Sequence, residues 1–271
     1  MKQLSSQKKQ ELMIMHQQGN IEGAAEMSKK LIKEYPKEIL LHNILGVCQE
    51  AKGDLKGAVN SYEKAININP DIPELQFNLG AMLFELNDIE GAINHYQKAI
   101  KLNPTFTEAF FNLGITYQSQ SNYDMAIKSY EQAVNSQPGF YEAIGNIGTI
   151  KQLQGKLEEA ITLFKKSLTI FEDGRGNYNI AGAYRNLGNL SLSIKHYRRA
   201  IEIGSGEAEF YSDLGDALWH DGNITEANLF LRKAVAVDSS HPKSNYQLGV
   251  FLYDNKAFTE AIKYFKSAGI N

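Results

Sequence analysis

The chain has 271 residues, 43% hydrophobic and 22% charged, with a formal net charge of −3. That balance belongs to an ordinary folded chain, not a disordered one, and argues against a protein that holds nucleic acid on a strongly basic face. Cys48 is the only cysteine, so no internal disulfide is available. No run of about 18 apolar residues would span a membrane, and the opening MKQLSSQKKQELMIMHQQ lacks the apolar core of a signal peptide. The expectation is a cytoplasmic protein in a reducing compartment, with neither membrane nor nucleic acid as partner.

In chain order the sequence predicts eight helical pairs: 5–38, 39–72, 73–106, 107–140, 141–173, 174–207, 208–241 and a truncated 242–271. Alanines stand at 24, 58, 92, 126, 160, 227 and 261, with Ser193 in the missing place. A second series runs Gly46, Gly80, Gly114, Gly148, Ala181, Gly215 and Gly249, and Pro36, Pro70, Pro104 and Pro138 keep the same interval. The step is 34 residues everywhere except one step of 33. Three series in phase define one array over 1–271, an all-α solenoid.

Each period contains two helical patterns. Phe110, Leu113, Gly114 and Tyr117 share one face of a first helix, and Ala126, Tyr130 and Ala133 share a face of a second. Between them stand Gly19, Gly53, Gly155, Gly188 and Gly222, or Asn87–Asp88 and Asn122, residues that tolerate the backbone needed to leave a helix. The proline after the second helix stops it. Gly114 and Ala126 are expected to let two backbones approach while Tyr117 and Tyr130 fill the space beside them, so a Leu at Gly114 would overpack by roughly 1–3 kcal/mol.

The skeleton Leu113–Gly114–Tyr117, Ala126–Tyr130–Ala133 and Pro138 resembles the tetratricopeptide repeat, and it recurs over nearly the whole chain. The resemblance implies a right-handed superhelix of antiparallel helix pairs whose first helices line a groove. It specifies fold far better than function.

The pattern breaks in informative places. Unit 141–173 is one residue short, with Glu172 where proline is expected and DGRGN after it, which predicts a bent or slipped junction near 172–177 unless the change is a plain loop deletion. The GRG and GSG glycines follow no strand and so are not a phosphate loop. In the first unit Lys8 and Glu11 replace the apolar Phe110 and Leu113 positions, as suits an end cap. At the other end Ala261, Phe265 and Ala268 would ordinarily be covered by a further helix. A continuing chain, self-association through this last helix, and a tolerated apolar patch are the three readings.

If the resemblance holds, partners are read by the groove side of the first helices, where Glu108, Phe111, Asn112, Ile115, Gln118 and Ser119 stand in unit 107–140. One position there is constant across four units: Asn78, Asn112, Asn146 and Asn179. A carboxamide both donates and accepts, so it can pair with the backbone of an extended peptide whatever its sequence. The row resembles the asparagine ladder of the O-linked N-acetylglucosamine transferase superhelix, where such residues hold peptide; the same residues also serve as scaffold between repeats. Phe77, Phe111, Tyr178 and Tyr246 precede this position or its equivalent, and Trp219, His220 and Tyr253 add aromatic candidates whose alternative role is packing between repeats.

Other chemistries lack their residues. The carboxylate clamp of the family's chaperone-binding members is incomplete, because Lys9 is followed by Met13, Ile44, Glu74 and Asn78 at its remaining places. His16, His42, His95, His196, His220 and His241 show no metal spacing, Cys48 reads as a small core residue, and no catalytic constellation or cofactor motif is present. The sequence therefore predicts a non-catalytic scaffold binding an extended peptide of a protein partner; the alternative is a substrate-recruiting N-terminal region of a larger enzyme such as a glycosyltransferase.

Overall fold

The structure, a computed structural model, describes residues 4–204 and 206–270. Met1 to Gln3 of the signal-peptide reading, Ser205 of the GSG stretch and the terminal Asn271 lie outside the described residues. Among the described residues there are sixteen helices and no strand. They fall into two compact units, residues 1–138 and 139–271.

The first unit holds α1 (Ser6–Gln17), α2 (Ile21–Glu34), α3 (Ile39–Ala51), α4 (Leu55–Ile68), α5 (Pro73–Glu85), α6 (Ile89–Leu102), α7 (Thr107–Ser119) and α8 (Tyr123–Ser136). The second holds α9 (Tyr141–Leu153), α10 (Leu157–Ile170), α11 (Gly174–Asn186), α12 (Leu190–Ile203), α13 (Ala208–His220), α14 (Ile224–Val237), α15 (Pro242–Asp254) and α16 (Phe258–Ser267). In each unit an odd-numbered helix packs on the even-numbered helix that follows it, and that helix packs on the next odd one. A single pair buries only part of its apolar surface, and stacking on the next pair buries the rest.

The periodic residues explain this packing. The second-helix rings Tyr62, Tyr96, Tyr130, Phe164 and Tyr197 are fully or almost fully buried. Opposite them stand Gly46, Gly80, Gly114, Gly148 and Ala181 on the first helices. A Cβ on Gly114 would come 2.5 Å from Tyr130 Cε1, and one on Gly46 would come 2.7 Å from Tyr62 Cε1. The glycine therefore clears space first for a ring, and at Gly80 the backbone oxygen of Ala92, the equivalent of Ala126, also lies 3.3 Å from where a Cβ would stand. The first repeat inverts the exchange of bulk: Leu12 takes the glycine place, Ser28 takes the tyrosine place, and both are buried.

The turn inside each repeat uses one left-handed residue. Gly19, Gly53, Gly155, Gly188 and Gly222 have φ of 74° to 85°, and Asn87, Ser121 and Lys256 take the same place with φ of 63°, 57° and 63°. Asn122, expected to supply that backbone, instead caps α8, its side chain accepting from Met125 N. Asn20, Asp54, Asp88, Asn189 and Asn223 cap their second helices in the same way, whereas Lys156 gives α10 no side-chain cap.

The missing residue of unit 141–173 is taken up in the loop. Only residues 171–173 separate α10 from α11, against 137–140 between α8 and α9. Asp173 accepts from Gly176 N to start α11, and a Cβ on buried Gly174 would stand 2.8 Å from Gly204 Cα and 3.0 Å from Ala200 O. The glycines of GRG thus belong to a helix start pressed against neighbouring backbone.

Candidate functional site

The first helices α5 and α7 each have a strip of side chains that their neighbours leave uncovered. On α5 it runs through Glu74, Phe77, Asn78, Ala81 and Glu85, and on α7 through Glu108, Phe111, Asn112, Ile115 and Ser119, all exposed or half-buried. This is helical spacing on one face, opposite the buried Leu79 and Gly80 or Leu113 and Gly114. Residues 39–51, 73–85 and 107–119 contain no Lys or Arg, so the charges of α3, α5 and α7 are all carboxylates.

Asn78 and Asn112 of the first unit, and Asn146 and Asn179 of the second, are half-buried on these strips. Asn112 is hydrogen-bonded to the Tyr96 hydroxyl of the preceding repeat, while burial pushes that phenol up to about 12. The carboxamides of Asn78, Asn146 and Asn179 make no hydrogen bond with any described residue. The same position continues as Asp213 and Gln247, which the sequence reading passed over although the 34-residue step marks both.

Asp213 is the centre of a closed network. Its side chain is 5% exposed and receives Lys243 Nζ at 2.8 Å, Gln247 Nε2 at 3.2 Å and the Tyr178 hydroxyl. Arg185 pairs with Asp216 and lies 3.9 Å from Asp213, and Arg175 pairs with Glu207 and, at 3.4 Å, with Glu209. These bonds tie α11 to α13 and α13 to α15, and they satisfy carboxylates that would be costly to bury alone. Burial, with Asp213 beside it, pushes the Tyr178 hydroxyl far above its usual range. The strip there is occupied by its own ion pairs.

The aromatic candidates have internal partners too. Phe77 lies against Tyr96 and Phe106 with ring centroids 5.8 and 5.1 Å away, and Phe111 against Tyr130 at 5.6 Å. Tyr178 stacks on Phe210 at 4.7 Å, Trp219 meets Phe251 edge-on at 5.5 Å, and the exposed Tyr246 lies 6.2 Å from Phe265. Gln118 accepts from the Tyr130 hydroxyl at 2.8 Å. The structure brings Asn146 and Asn179 together at a cleft of about 170 Å³ between α9, α10 and α11, floored by Phe164 and walled by Tyr141, Thr149 and Arg175.

Among the described residues no cluster of three or more His, Cys, Asp or Glu is placed to hold a metal, and no helix is long and apolar enough to cross a membrane. Cys48 is fully buried, and burial pushes its thiol up.

Family models described as TPR repeat match residues 51–87 and 80–121, and models described as tetratricopeptide repeat match 13–38, 107–140, 141–204, 178–242 and 212–270. A search of the curated proteins finds no match. The crystal structure of MamA is similar at 30% identity and a TM-score of 0.56, over 58% of this chain and 92% of that one. A tetratricopeptide repeat protein from Parabacteroides merdae is similar at 20% identity and a TM-score of 0.69, over 91% of this chain and 100% of that one. Yeast Tom70 is similar at 21% identity and a TM-score of 0.65, over 93% of this chain and 55% of that one; these last two likenesses speak to fold alone. With matches that run from residue 13 to residue 270 and the glycine–tyrosine packing present in successive repeats, the chain belongs to the tetratricopeptide repeat family, a family of protein-interaction scaffolds.

Proposed function

We propose that this protein is a non-catalytic cytoplasmic scaffold that holds an extended segment of a protein partner along the free strips of its first helices. The observation that carries this reading is the unpaired state of the carboxamides of Asn78, Asn146 and Asn179, which recur at one position of the repeat. Each presents a donor and an acceptor to a peptide main chain. Asn112 shares that position but is engaged by Tyr96, so it contributes less. The closed network of Asp213 gives α13 a structural role within the second unit, tying it to α11 and α15.

The test is selection of binders from a random-peptide phage library on the intact protein. Binding of the selected peptides is then measured by fluorescence anisotropy with wild type and with Asn146→Ala/Asn179→Ala, two positions of the second unit that share one cleft. Two lost hydrogen bonds, each on the order of 1 kcal/mol, should weaken affinity by about tenfold or more while the helical circular dichroism is unchanged. Equal affinity for every selected peptide refutes the role of the asparagines.

A further inference from the structure

Beside the four asparagines, the aromatic row that precedes them is broken at one place, Gly145; further on it is also broken at Ser212, where the second helix carries Leu231 and no ring. Phe77, Phe111, Tyr178 and Tyr246 stand at one position of the repeat, each with its ring 5.5 to 6.2 Å from the aromatic of its own second helix. In the repeat of α9 and α10 that position is Gly145, although Phe164 keeps its place on α10. A Cβ on Gly145 would meet only Ser167 Oγ, at 3.7 Å. The space a ring fills elsewhere is therefore open, and it is the cleft of about 170 Å³ over Phe164.

We propose that this cleft is a subsite for a Phe or Tyr side chain of the partner segment, with a Lys or Arg beside it in that segment. The inference rests on the reading that the strips bind an extended chain. Phe164 offers an incoming ring the kind of surface that Tyr96 offers Phe77, and tilted aromatic pairs at such distances are favourable. Asn146 and Asn179 stand at the rim with unpaired carboxamides, placed to take the main chain of the residue that carries the ring.

The charges select the neighbour of that ring. Arg175 is engaged by Glu207 and Glu209, and Asp173 accepts from the backbone of Gly176. Glu142, also on the rim and bonded by Tyr141, forms no ion pair among the described residues. A carboxylate with no cation favours a basic partner residue and repels an acidic one.

The probes are three capped dipeptides: N-acetyl-Lys-Phe-methylamide, N-acetyl-Lys-Ala-methylamide and N-acetyl-Glu-Phe-methylamide. Each is titrated to millimolar concentration into the ¹⁵N-labelled full chain and followed by amide chemical shifts. The Lys-Phe probe should shift Gly145, Asn146, Thr149, Gly176 and Asn179, with a dissociation constant at least tenfold below that of either other probe. Gly145→Phe, which installs the kind of ring found at Phe77, Phe111, Tyr178 and Tyr246, should abolish these shifts and leave the rest of the spectrum in place. Equal response to the Lys-Phe and Lys-Ala probes, or no response at these amides, overturns the subsite without any variant. Shifts that persist in a folded Gly145→Phe protein overturn it as well. Library-selected peptides that need Asn146 and Asn179 but ignore the Gly145→Phe change would sink the subsite and spare the scaffold reading. Probe binding alongside asparagine-independent peptides would do the reverse.

Discussion

Gly114 and Tyr130 offer the sharpest test of how the array is held together. A Cβ on Gly114 would lie 2.5 Å from Tyr130 Cε1, and ordinary contact begins at 3.4 Å, so the ring must retreat by about 0.9 Å. Tyr130 is fully buried, so it has nowhere to retreat without disturbing α8. Gly114→Leu should therefore destabilise by about 1–3 kcal/mol even after the gain from a better helix former. Tyr130→Ser empties a ring-sized volume and should cost about 3–5 kcal/mol. The double variant rebuilds the Leu12/Ser28 pairing of the first repeat, and the two changes should compensate with a coupling of about 2 kcal/mol. Repeat arrays open piecewise, so the suitable assay is hydrogen exchange at the α7 and α8 amides, including Tyr117 and Ala133, supported by urea unfolding. Additivity of the two single effects within about 0.5 kcal/mol would refute the exchange-of-bulk argument.

Lys156→Asn should give α10 the cap that α2, α4, α6, α8, α12 and α14 have and raise stability by about 1 kcal/mol, seen as a higher urea midpoint; no gain would mean the α10 start is satisfied some other way. Gly174→Ala should destabilise by about 1–3 kcal/mol, because the new Cβ meets the backbone of Gly204 and Ala200 and no side chain can yield. An unchanged midpoint would show that the short loop can relax. Burial holds the imidazoles of His95 and His196 below their ordinary value, so the unfolded chain takes up their protons first. The stability they confer is complete above the unfolded pKa near 6.5 and is lost as pH falls from there toward their lower folded values. Unfolding midpoints at pH 7.5 and 5.5 should therefore differ, and the difference should shrink in His95→Ser/His196→Ser, which copies the serines at 61 and 129.

The linear order of residues determined the repeat and its division into eight helical pairs, because each depends on neighbours at short, constant offsets. Proline after the second helix, glycine in the left-handed turn and alanine or glycine opposite a ring leave a signature that returns at a step of 34 residues, once 33. One local assignment shifted for an equally local reason: Ser121 took the left-handed place so that Asn122 was free to cap α8. The candidate site was legible only as a set of positions. Which of those side chains are spent inside the protein depends on what stands across from them, one or more helices away and at another side-chain angle. Tertiary structure alone decided that Tyr96 engages Asn112, that Asp213 draws in Tyr178, and that Tyr130 donates to Gln118. The gap at Gly145 was written in the sequence all along, yet it acquires meaning only when Phe164 is seen to keep its place beneath it. Periodicity says where a residue sits in its own repeat; packing density and the need to pair buried polar groups say whom it meets.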